Sequence, residues 1–341
     1  MPPSMRAVSP DDLARLVASV FVRAGLPDAD AALVARTLVD ADLRGVRSHG
    51  TMRVGDYVRG IQAGQMNPRP NIQVVVDSGT VAVVDGDGAM GYVSADVAMR
   101  LAISRAKELG IGAAGLRNGR HSGAMAYWAM LALAENCIGF ATTNAGMNMA
   151  PSGGKDKIVG NNPFAIAVPS RTPFPMVLDM ATSVAAGGKL DMAMLRGEGI
   201  PLGWALDPAG NPTTDPLEAR KGSLLPVGGP KGYAMAVMLD VVAGVLTGGR
   251  FGGNLGASGS GQFYLALDVE RFMPISEFLD RMDQLVGQIH SSALAPGSQR
   301  IYVPGEIEHE KAERSRKDGL PVEENLLAEL EALAGQRQGA P

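Results

Sequence analysis

Apolar residues near the start of the chain recur at the spacing of one helix face. Ser9 and Pro10 suit an N-cap and the first helical position, and acidic residues fill the first turn. The apolar face of this helix comprises Leu13, Leu16, Val17, Val20 and Phe21. Gly25 ends the helix, and a second amphipathic helix opens at Pro27 and runs out near Gly45. The pattern therefore predicts two helices followed by a loop.

The pattern changes from helical spacing to alternation between Ile72 and Val84. Two β-branched runs there flank residues 77–79, so we expect a hairpin with its turn at these residues. Further strands are predicted at 111–118, 139–143, 164–168, 176–180 and 262–268, with helices at 94–109, 122–136 and after residue 228. A polar connector at 197–222 interrupts the series. The centre of the chain is therefore predicted to be an α/β body.

Charged helices are predicted at 275–293 and 306–334, close to the end of the chain. Because helices flank the α/β centre on both sides, we expect the termini to pack together as a second, mostly helical unit. The predicted division is 1–71 with 269–341 for the helical unit and 72–268 for the α/β unit. His290 and His309 fall in the charged helices, where solvated surface positions are expected.

Composition excludes several classes of protein. The 341 residues include 31 Lys and Arg against 35 Asp and Glu, a net charge of −4, so we expect no nucleic-acid partner. The single cysteine, Cys137, has no second thiol for a disulfide or a thiolate metal site. The chain begins without an apolar signal segment, and its apolar stretches are too short or too interrupted to span a bilayer. We therefore predict a cytoplasmic protein with no membrane partner.

A glycine-rich loop follows the predicted hairpin. Residues 86–91 (GDGAMG) match G-x-G-x-x-G between a strand and a helix, the context of a dinucleotide-binding fingerprint. That fingerprint also requires an acidic side chain at the end of the next strand, which here ends in Arg117 and Asn118. Two interpretations stay open: a Rossmann loop, or a structural turn in which glycine permits close packing.

His49 lies in a short loop between Ser48 and Gly50, with Arg47 and Arg53 nearby. A guanidinium can bind a carboxylate through two parallel hydrogen bonds, and an imidazole can give or take a proton at a neighbouring oxygen. A site that reduces a 2-oxo acid needs this combination. A histidine that caps the preceding helix would leave the same pattern, so the loop alone does not decide.

Three further candidates lie where strands end or helices begin. His121 follows the strand 111–118 and Asp179 belongs to the end of strand 176–180, positions where α/β folds bind ligands. Lys231 stands at a predicted helix N-terminus, which favours an anion. A turn histidine and an N-cap aspartate are the alternative interpretations of the first two. Neither metal-ligand spacing nor a G-x-S-x-G element occurs, so no metal site and no serine hydrolase is expected.

Many motifs occur in an order that resembles one family. They are 47–50 (RSHG), 85–88 (DGDG), 117–123 (RNGRHSG), 144–154 (NAGMNMAPSGG), 160–163 (GNNP), 178–183 (LDMATS), 200–207 (IPLGWALD), 212–216 (PTTDP), 228–233 (GGPKGY), 244–248 (GVLTG) and 304–306 (PGE). This order resembles the malate/L-lactate dehydrogenase family of the non-Rossmann type. That family also contains ureidoglycolate, sulfolactate and diketogulonate dehydrogenases, and reductases of the cyclic imino acids piperideine- and pyrroline-2-carboxylate. The resemblance covers nearly the whole chain.

The resemblance implies a fold and a cofactor. It implies an α/β protein with a non-Rossmann, mixed-sheet domain that binds NAD or NADP, a helical domain built from both termini, and a homodimer. The glycine loop at 86–91 would then be a structural turn. The implied activity is hydride transfer between the nicotinamide and C2 of a small 2-hydroxy or 2-oxo acid.

The same resemblance implies roles for individual residues. Ser48 and His49 would line the substrate site, with His49 as the proton donor in reduction, and Arg53 would bind the substrate carboxylate. His121 would be a second active-site histidine that also contacts the cofactor, and some members assign the proton transfer to it. Asp179 would assist the chemistry. The implied cofactor-contacting positions are His121, Asp179, Met180, Ala181, Thr182, Ser183, Lys231, Gly232, Gly305 and Glu306.

The chain departs from the family pattern at three places. Gly119 and Arg120 precede His121 where members usually have Asn-Ser-x-His, which adds a cation beside the site. Ala145 removes a hydroxyl that commonly follows the preceding asparagine, and the segment after Gly248 is shorter than usual. Two alternatives to a 2-hydroxy acid dehydrogenase stay open: a reductase of cyclic imino acids, and a non-catalytic protein that binds small acids.

Overall fold

A computed structural model describes residues 4–255 and 260–335. The strands are β1 (Met5–Val8), β2 (Gln73–Asp77), β3 (Val81–Asp85), β4 (Ile111–Gly119), β5 (Cys137–Thr143), β6 (Met147–Met149), β7 (Val159–Gly160), β8 (Phe164–Val168), β9 (Met176–Met180), β10 (Ala205–Leu206), β11 (Pro212–Thr213), β12 (Ser223–Leu224), β13 (Ser260–Asp268) and β14 (Leu320–Glu323). The α-helices are α1 (Pro10–Arg23), α2 (Asp28–Leu43), α3 (Val54–Gln62), α4 (Gly91–Leu109), α5 (Met125–Met130), α6 (Gly187–Arg196), α7 (Pro216–Lys221), α8 (Pro230–Asp240), α9 (Ile275–His290), α10 (Glu306–Asp318) and α11 (Glu324–Gly335). This succession is the mixed α/β architecture that the sequence predicts.

The largest sheet among the described residues has seven strands in the order β2-β3-β4-β13-β5-β8-β9. β3 and β4 run parallel, and every other neighbouring pair in this sheet is antiparallel. The strands β3, β4, β5 and β9 therefore point the same way and end at one edge of the sheet. His121, Asn144 and Asp179 follow or end three of these strands, so the topology brings them to the same edge.

The predicted hairpin forms, with β2 and β3 paired antiparallel and the Ser78 amide donating to the Val81 carbonyl at 2.8 Å. Helix α4 then packs on the sheet so closely that a Cβ on Gly112 of β4 would lie 2.0 Å from the Ala102 carbonyl oxygen. A side chain at position 112 would therefore separate the helix from the strand. The helix predicted at 122–136 is wrong in part, because α5 ends at Met130 and residues 131–135 form a 3-10 turn.

The two ends of the described chain pair with each other. β1 and β14 are antiparallel, with Met5 opposite Glu323 and Val8 opposite Leu320. The single helix predicted at 306–334 is wrong, because α10 ends at Asp318 and β14 separates it from α11. Gly319 adopts a left-handed φ of 89°, which ends α10. Side chains of α1, α2 and α11 belong to the same buried apolar cluster as those of α4 and α5.

The connector predicted at 197–222 is also ordered. It contributes β10, β11 and α7 to a small sheet and a second apolar cluster. Asp215 caps α7 by accepting from the Leu217 and Glu218 amides. The strands and helix of this segment could not be predicted from its polar composition, because only a few apolar side chains, such as Ile200 and Ala205, pack into the second cluster. Part of the short segment after Gly248 lies at 256–259, outside the described residues.

None of the helices within residues 4–255 and 260–335 is both long enough and apolar enough to cross a membrane.

Candidate active site

A buried carboxylate holds the loop that carries the first predicted site residues. Residues 47–49 and 51–53 form two consecutive 3-10 turns after α2. Asp42, at the end of α2, accepts hydrogen bonds from the Thr51 amide at 2.9 Å and from the Thr51 hydroxyl at 2.6 Å. A Cβ on Gly50 would lie 1.8 Å from the Asp42 carboxylate, so only glycine lets the loop approach this close. Asp42 thereby fixes the loop, and the sequence analysis did not identify it.

Ser48, His49 and Arg53 are connected within this loop. The Ser48 hydroxyl lies 3.0 Å from Nδ1 of His49, and Nε of Arg53 donates to the Ser48 carbonyl at 2.8 Å. Nη1 of Arg53 is 3.5 Å from Asp56, a long contact on a side chain that is 42% exposed. The terminal nitrogens of the guanidinium are therefore accessible to a carboxylate from solution.

His121 meets this loop from the other side. The imidazoles of His49 and His121 lie with ring centroids 5.6 Å apart and planes inclined by 20°. Nδ1 of His121 is 2.6 Å from the hydroxyl of Tyr57. The same Tyr57 hydroxyl is 3.0 Å from the hydroxyl of Tyr92. The structure thus brings together two histidines that are distant in sequence, beside one arginine. The tyrosines were missed because no local motif marks them and only the fold makes the contact.

Both imidazoles are held in the neutral form. Although His121 has exposed surface, desolvation, followed by the nearby His49 and Arg53, lowers its pKa to about 3. Desolvation, followed by the charge of Arg53, lowers the pKa of His49 to about 4. A bound carboxylate would neutralise the guanidinium and so raise the pKa of His49 towards the range in which it can carry a proton.

The glycine loop at 86–91 has its amides engaged by the protein. The Gly86 amide donates to the Arg117 carbonyl, and the Gly88 amide donates to the Asn118 carbonyl, both at 2.9 Å. A Cβ on Gly91 would lie 2.0 Å from the Arg120 carbonyl oxygen and 2.5 Å from that of His121. The loop therefore supports the turn that carries His121, and its Gly86 and Gly88 amides are bonded within the protein.

Gly91→Ala is expected to destabilise the protein by about 1–3 kcal/mol, because backbone atoms must shift to admit the new methyl group. The displaced turn should also lower turnover through His121. Gly287→Ala is the control, since a Cβ at position 287 of α9 meets nothing within 4 Å. Urea unfolding of both variants checks this result, and equal midpoints would contradict it.

The segment that follows β9 passes close to the loop at residues 47–53. A Cβ on Gly188, at the start of α6, would lie 3.6 Å from that of Ser48. Asp179 has exposed surface, but desolvation by the surrounding protein raises its pKa to about 6, against the lowering effects of the Ala126 amide and Arg44. Asp179 lines a cavity of about 10 Å³ together with Asp40, Arg44 and Tyr92. Met180 and Ala181 are partly buried behind it.

Thr182, Ser183 and Lys231 lie close to the start of α8. Ser183 pairs with Pro226, and the Val227 amide donates to the Thr182 carbonyl at 2.8 Å, which places both beside the start of α8. The Thr182 hydroxyl is buried and has no hydrogen-bond partner among the described residues. Lys231 is exposed and, in the same part of the chain, forms no ion pair. The neighbouring cleft holds about 420 Å³ and is bordered by residues 150–154, 184, 203, 206, 224–226 and 228–230.

The remaining predicted cofactor positions have structural contacts. A Cβ on Gly232 would lie 2.1 Å from the Val227 carbonyl oxygen, and one on Gly305 would lie 2.5 Å from that of Pro175. Glu306 is buried, accepts from the Val303 amide at 3.1 Å, and pairs with Arg300 and His290. His290 is exposed, as its sequence context suggested, and its Nε2 also lies 3.1 Å from the Glu306 carboxylate. A cofactor contact at position 306 would fall to the backbone, since these partners occupy the carboxylate.

Groups of three or more His, Cys, Asp or Glu side chains arranged to hold a metal ion were not found in residues 4–255 and 260–335.

Comparison with known proteins gives matches over nearly the whole chain. A family model described as malate/L-lactate dehydrogenase matches residues 8–331. Malate dehydrogenase from Pyrococcus horikoshii is 39% identical over 96% of this chain and 94% of its own length. L-sulfolactate dehydrogenase from Methanocaldococcus jannaschii is 39% identical over 96% of each chain. The crystal structure of malate dehydrogenase from Entamoeba histolytica matches with a TM-score of 0.95 and 30% identity, over 99% of each chain.

Proposed function

Because the chain belongs to the malate/L-lactate dehydrogenase family, an oxidoreductase family, we propose that it transfers a hydride between NAD or NADP and C2 of a small 2-hydroxy or 2-oxo acid. The observation that carries this proposal is that the imidazoles of His49 and His121 lie 5.6 Å apart while Arg53 bonds to the carbonyl of Ser48, the residue next to His49. A neutral imidazole beside an accessible guanidinium suits a substrate that has a carboxylate next to the reacting carbon.

The protein's own residues hold the acid and move the proton. Arg53 binds the carboxylate through its terminal nitrogens and fixes C2 relative to the two imidazoles. In reduction, His49 gives a proton to the substrate oxygen, and in oxidation it removes the proton from the hydroxyl. Ser48 orients His49 through Nδ1, at 3.0 Å. The nicotinamide supplies or accepts the hydride when it is bound.

One feature at the start of α8 fits a dinucleotide. Lys231 offers a positive charge in the first turn of α8, where helix N–H groups also favour an anion. We therefore propose that Asp179, Met180, Ala181, Thr182, Ser183, Lys231, Gly232, Gly305 and Glu306 border the cofactor, with His121 at its nicotinamide end.

We extend the proposal to the organisation of the chain. The cofactor domain is 72–268 and of the non-Rossmann type, since the amides of the 86–91 loop are already bonded. The helical domain is 1–71 with 269–341, supported by the pairing of β1 with β14. A homodimer in the cytoplasm is the proposed form of the enzyme.

The proposal is tested by following nicotinamide absorbance with the purified protein. NADH and NADPH are each offered with 2-oxo acids (oxaloacetate, pyruvate, sulfopyruvate) and with cyclic imino acids such as pyrroline-2-carboxylate. We expect turnover of a 2-oxo acid and a clear preference for one cofactor. Turnover of the cyclic imines alone would identify an imino acid reductase instead. If no member of the panel consumes cofactor while small acids still bind, the protein is a non-catalytic binder.

A further inference from the structure

Tyr57 and Tyr92 form a buried hydrogen-bonded chain that ends on His121. Tyr57 lies in α3 with 4% of its surface exposed, and Tyr92 lies in the first turn of α4 with 1% exposed. Their hydroxyls are 3.0 Å apart, and the Tyr57 hydroxyl is 2.6 Å from Nδ1 of His121. The Tyr57 ring also faces His121, with centroids 6.0 Å apart. The contacts join three elements that are far apart in sequence, at the ring proposed above to border the substrate.

The number of hydrogens in this chain restricts their directions. Each phenol can donate one hydrogen, and the two contacts need one hydrogen each. If Tyr92 donates to Tyr57 and Tyr57 donates to Nδ1 of His121, both phenol hydrogens are bonded. In the reverse direction Nδ1 donates to Tyr57, Tyr57 donates to Tyr92, and the Tyr92 hydrogen needs another acceptor. Tyr57 is the only hydrogen-bond partner of the Tyr92 hydroxyl within residues 4–255 and 260–335.

An unbonded hydroxyl in the core is unfavourable, because it loses its hydrogen bonds to water without replacing them. This cost favours the first direction, in which Nδ1 of His121 accepts. Burial keeps both phenols protonated, since it raises the pKa of Tyr57 to about 12 and that of Tyr92 well above its usual value. Both hydrogens are therefore present at neutral pH.

We propose that Tyr57 is a positioning residue that holds His121 as the tautomer with its hydrogen on Nε2. The proposal rests on the proposed function only for its consequence, which is that His121 presents an N–H donor to the cleft. That donor would stabilise the negative charge that develops on a carbonyl oxygen during reduction. In this arrangement His121 keeps its hydrogen as a hydrogen-bond donor, and His49 delivers the proton once a bound carboxylate offsets the charge of Arg53 and raises the pKa of His49. The two histidines therefore have different roles.

Nuclear magnetic resonance of ring-¹⁵N-labelled histidine tests the tautomer without any substrate. The chain has four histidines, and His49→Gln, His290→Gln and His309→Gln assign the signals by elimination. At pH 7.5 we expect His121 to show a pyrrole-type Nε2 and a pyridine-type Nδ1. A pyrrole-type Nδ1 would overturn the proposal, and would mean that the Tyr92 hydrogen points into the small cavity beside Asp179.

Two variants that each remove one hydroxyl form a matched pair. Tyr57→Phe removes the partner of Nδ1, so we expect the His121 signals to move towards a mixture of tautomers. Tyr92→Phe leaves the Tyr57 hydrogen with His121 as its acceptor, so the Nε2–H tautomer should persist. Identical His121 signals in the wild type and in Tyr57→Phe would overturn the proposal.

Kinetics give a second readout for Tyr57. In the 2-oxo acid reduction, Tyr57→Phe is expected to lower kcat by about 10- to 100-fold with KM little changed, because the donor is misoriented while Arg53 still binds the acid. A rise in KM alone would overturn the assigned role. If no acid on the panel reacts, the function proposal fails, but the ¹⁵N signals still decide the tautomer.

Discussion

Replacing His49 with alanine is expected to lower kcat for reduction of a 2-oxo acid by roughly 10²–10⁴-fold, the usual contribution of a positioned acid or base. The imidazole lies 5.6 Å from that of His121, and its Nδ1 is 3.0 Å from the Ser48 hydroxyl. Removing it takes away the group that protonates the substrate oxygen, but leaves the proposed cofactor cleft near α8 unchanged. Steady-state kinetics measure the loss in kcat, and a fluorescence titration measures the affinity for the cofactor. We expect the cofactor Kd to stay within about twofold, a change in binding free energy below about 0.5 kcal/mol.

His309→Ala is the matched control for this variant. His309 lies in α10 next to Phe174, with ring centroids 6.3 Å apart, and has no contact with the cleft histidines. A cyclic imine is already basic at its nitrogen, so His49→Ala should damage reduction of an imine less than reduction of a carbonyl. Equal kcat in His49→Ala and His309→Ala would show that His49 carries no proton in the reaction.

The sequence was most informative where function depends on a short segment. The Arg47–Arg53 loop could be singled out because histidine, serine and arginine occur together at the end of an apolar helix pattern. Its distance from His121 could not be predicted, because the contact depends on where α3 and the end of β4 lie in the folded protein. The ring separation of 5.6 Å is therefore a property of the topology.

Residues that act through others left little trace in the sequence. Asp42 has the spacing of an ordinary helix residue, and its function appears only when the Thr51 amide and hydroxyl turn back towards it. Tyr57 and Tyr92 fit an apolar helix face, which is the usual meaning of such spacing. Their hydroxyls acquire a role because α3 and α4 meet beside His121.

The errors in secondary structure have a common cause. The residues of β1 and β14 were missed because four-residue strands form only when the two ends of the chain meet, a contact between positions more than 300 residues apart. The charged pattern around Pro321 indicated a continuous helix, whereas pairing with Ala7 stabilises an extended backbone there. Long-range pairing thus overrode local propensity in both places.

Replacing Arg53 with methionine is expected to lower kcat/KM for a 2-oxo acid by roughly 10²–10³-fold, since loss of one partner leaves a desolvated carboxylate unpaired at a cost of about 2–5 kcal/mol. Most of this loss should appear as a higher KM. Arg53→Lys keeps the charge but not the planar pair of donors, so we expect an intermediate loss.

Arg59→Met is a close control, because Arg59 also belongs to the α3 region and pairs with Asp56, at 2.6 Å, but lacks the Arg53 contact with Ser48. Both variants then lose an ion pair with Asp56. They differ only in whether Arg53 is present to bind the substrate carboxylate. Steady-state kinetics of all three variants measure that difference. If Arg53→Met and Arg59→Met have the same KM, the substrate carboxylate binds elsewhere. In that case Arg53 acts only through its hydrogen bond to the Ser48 carbonyl, and Arg53→Met lowers kcat without raising KM.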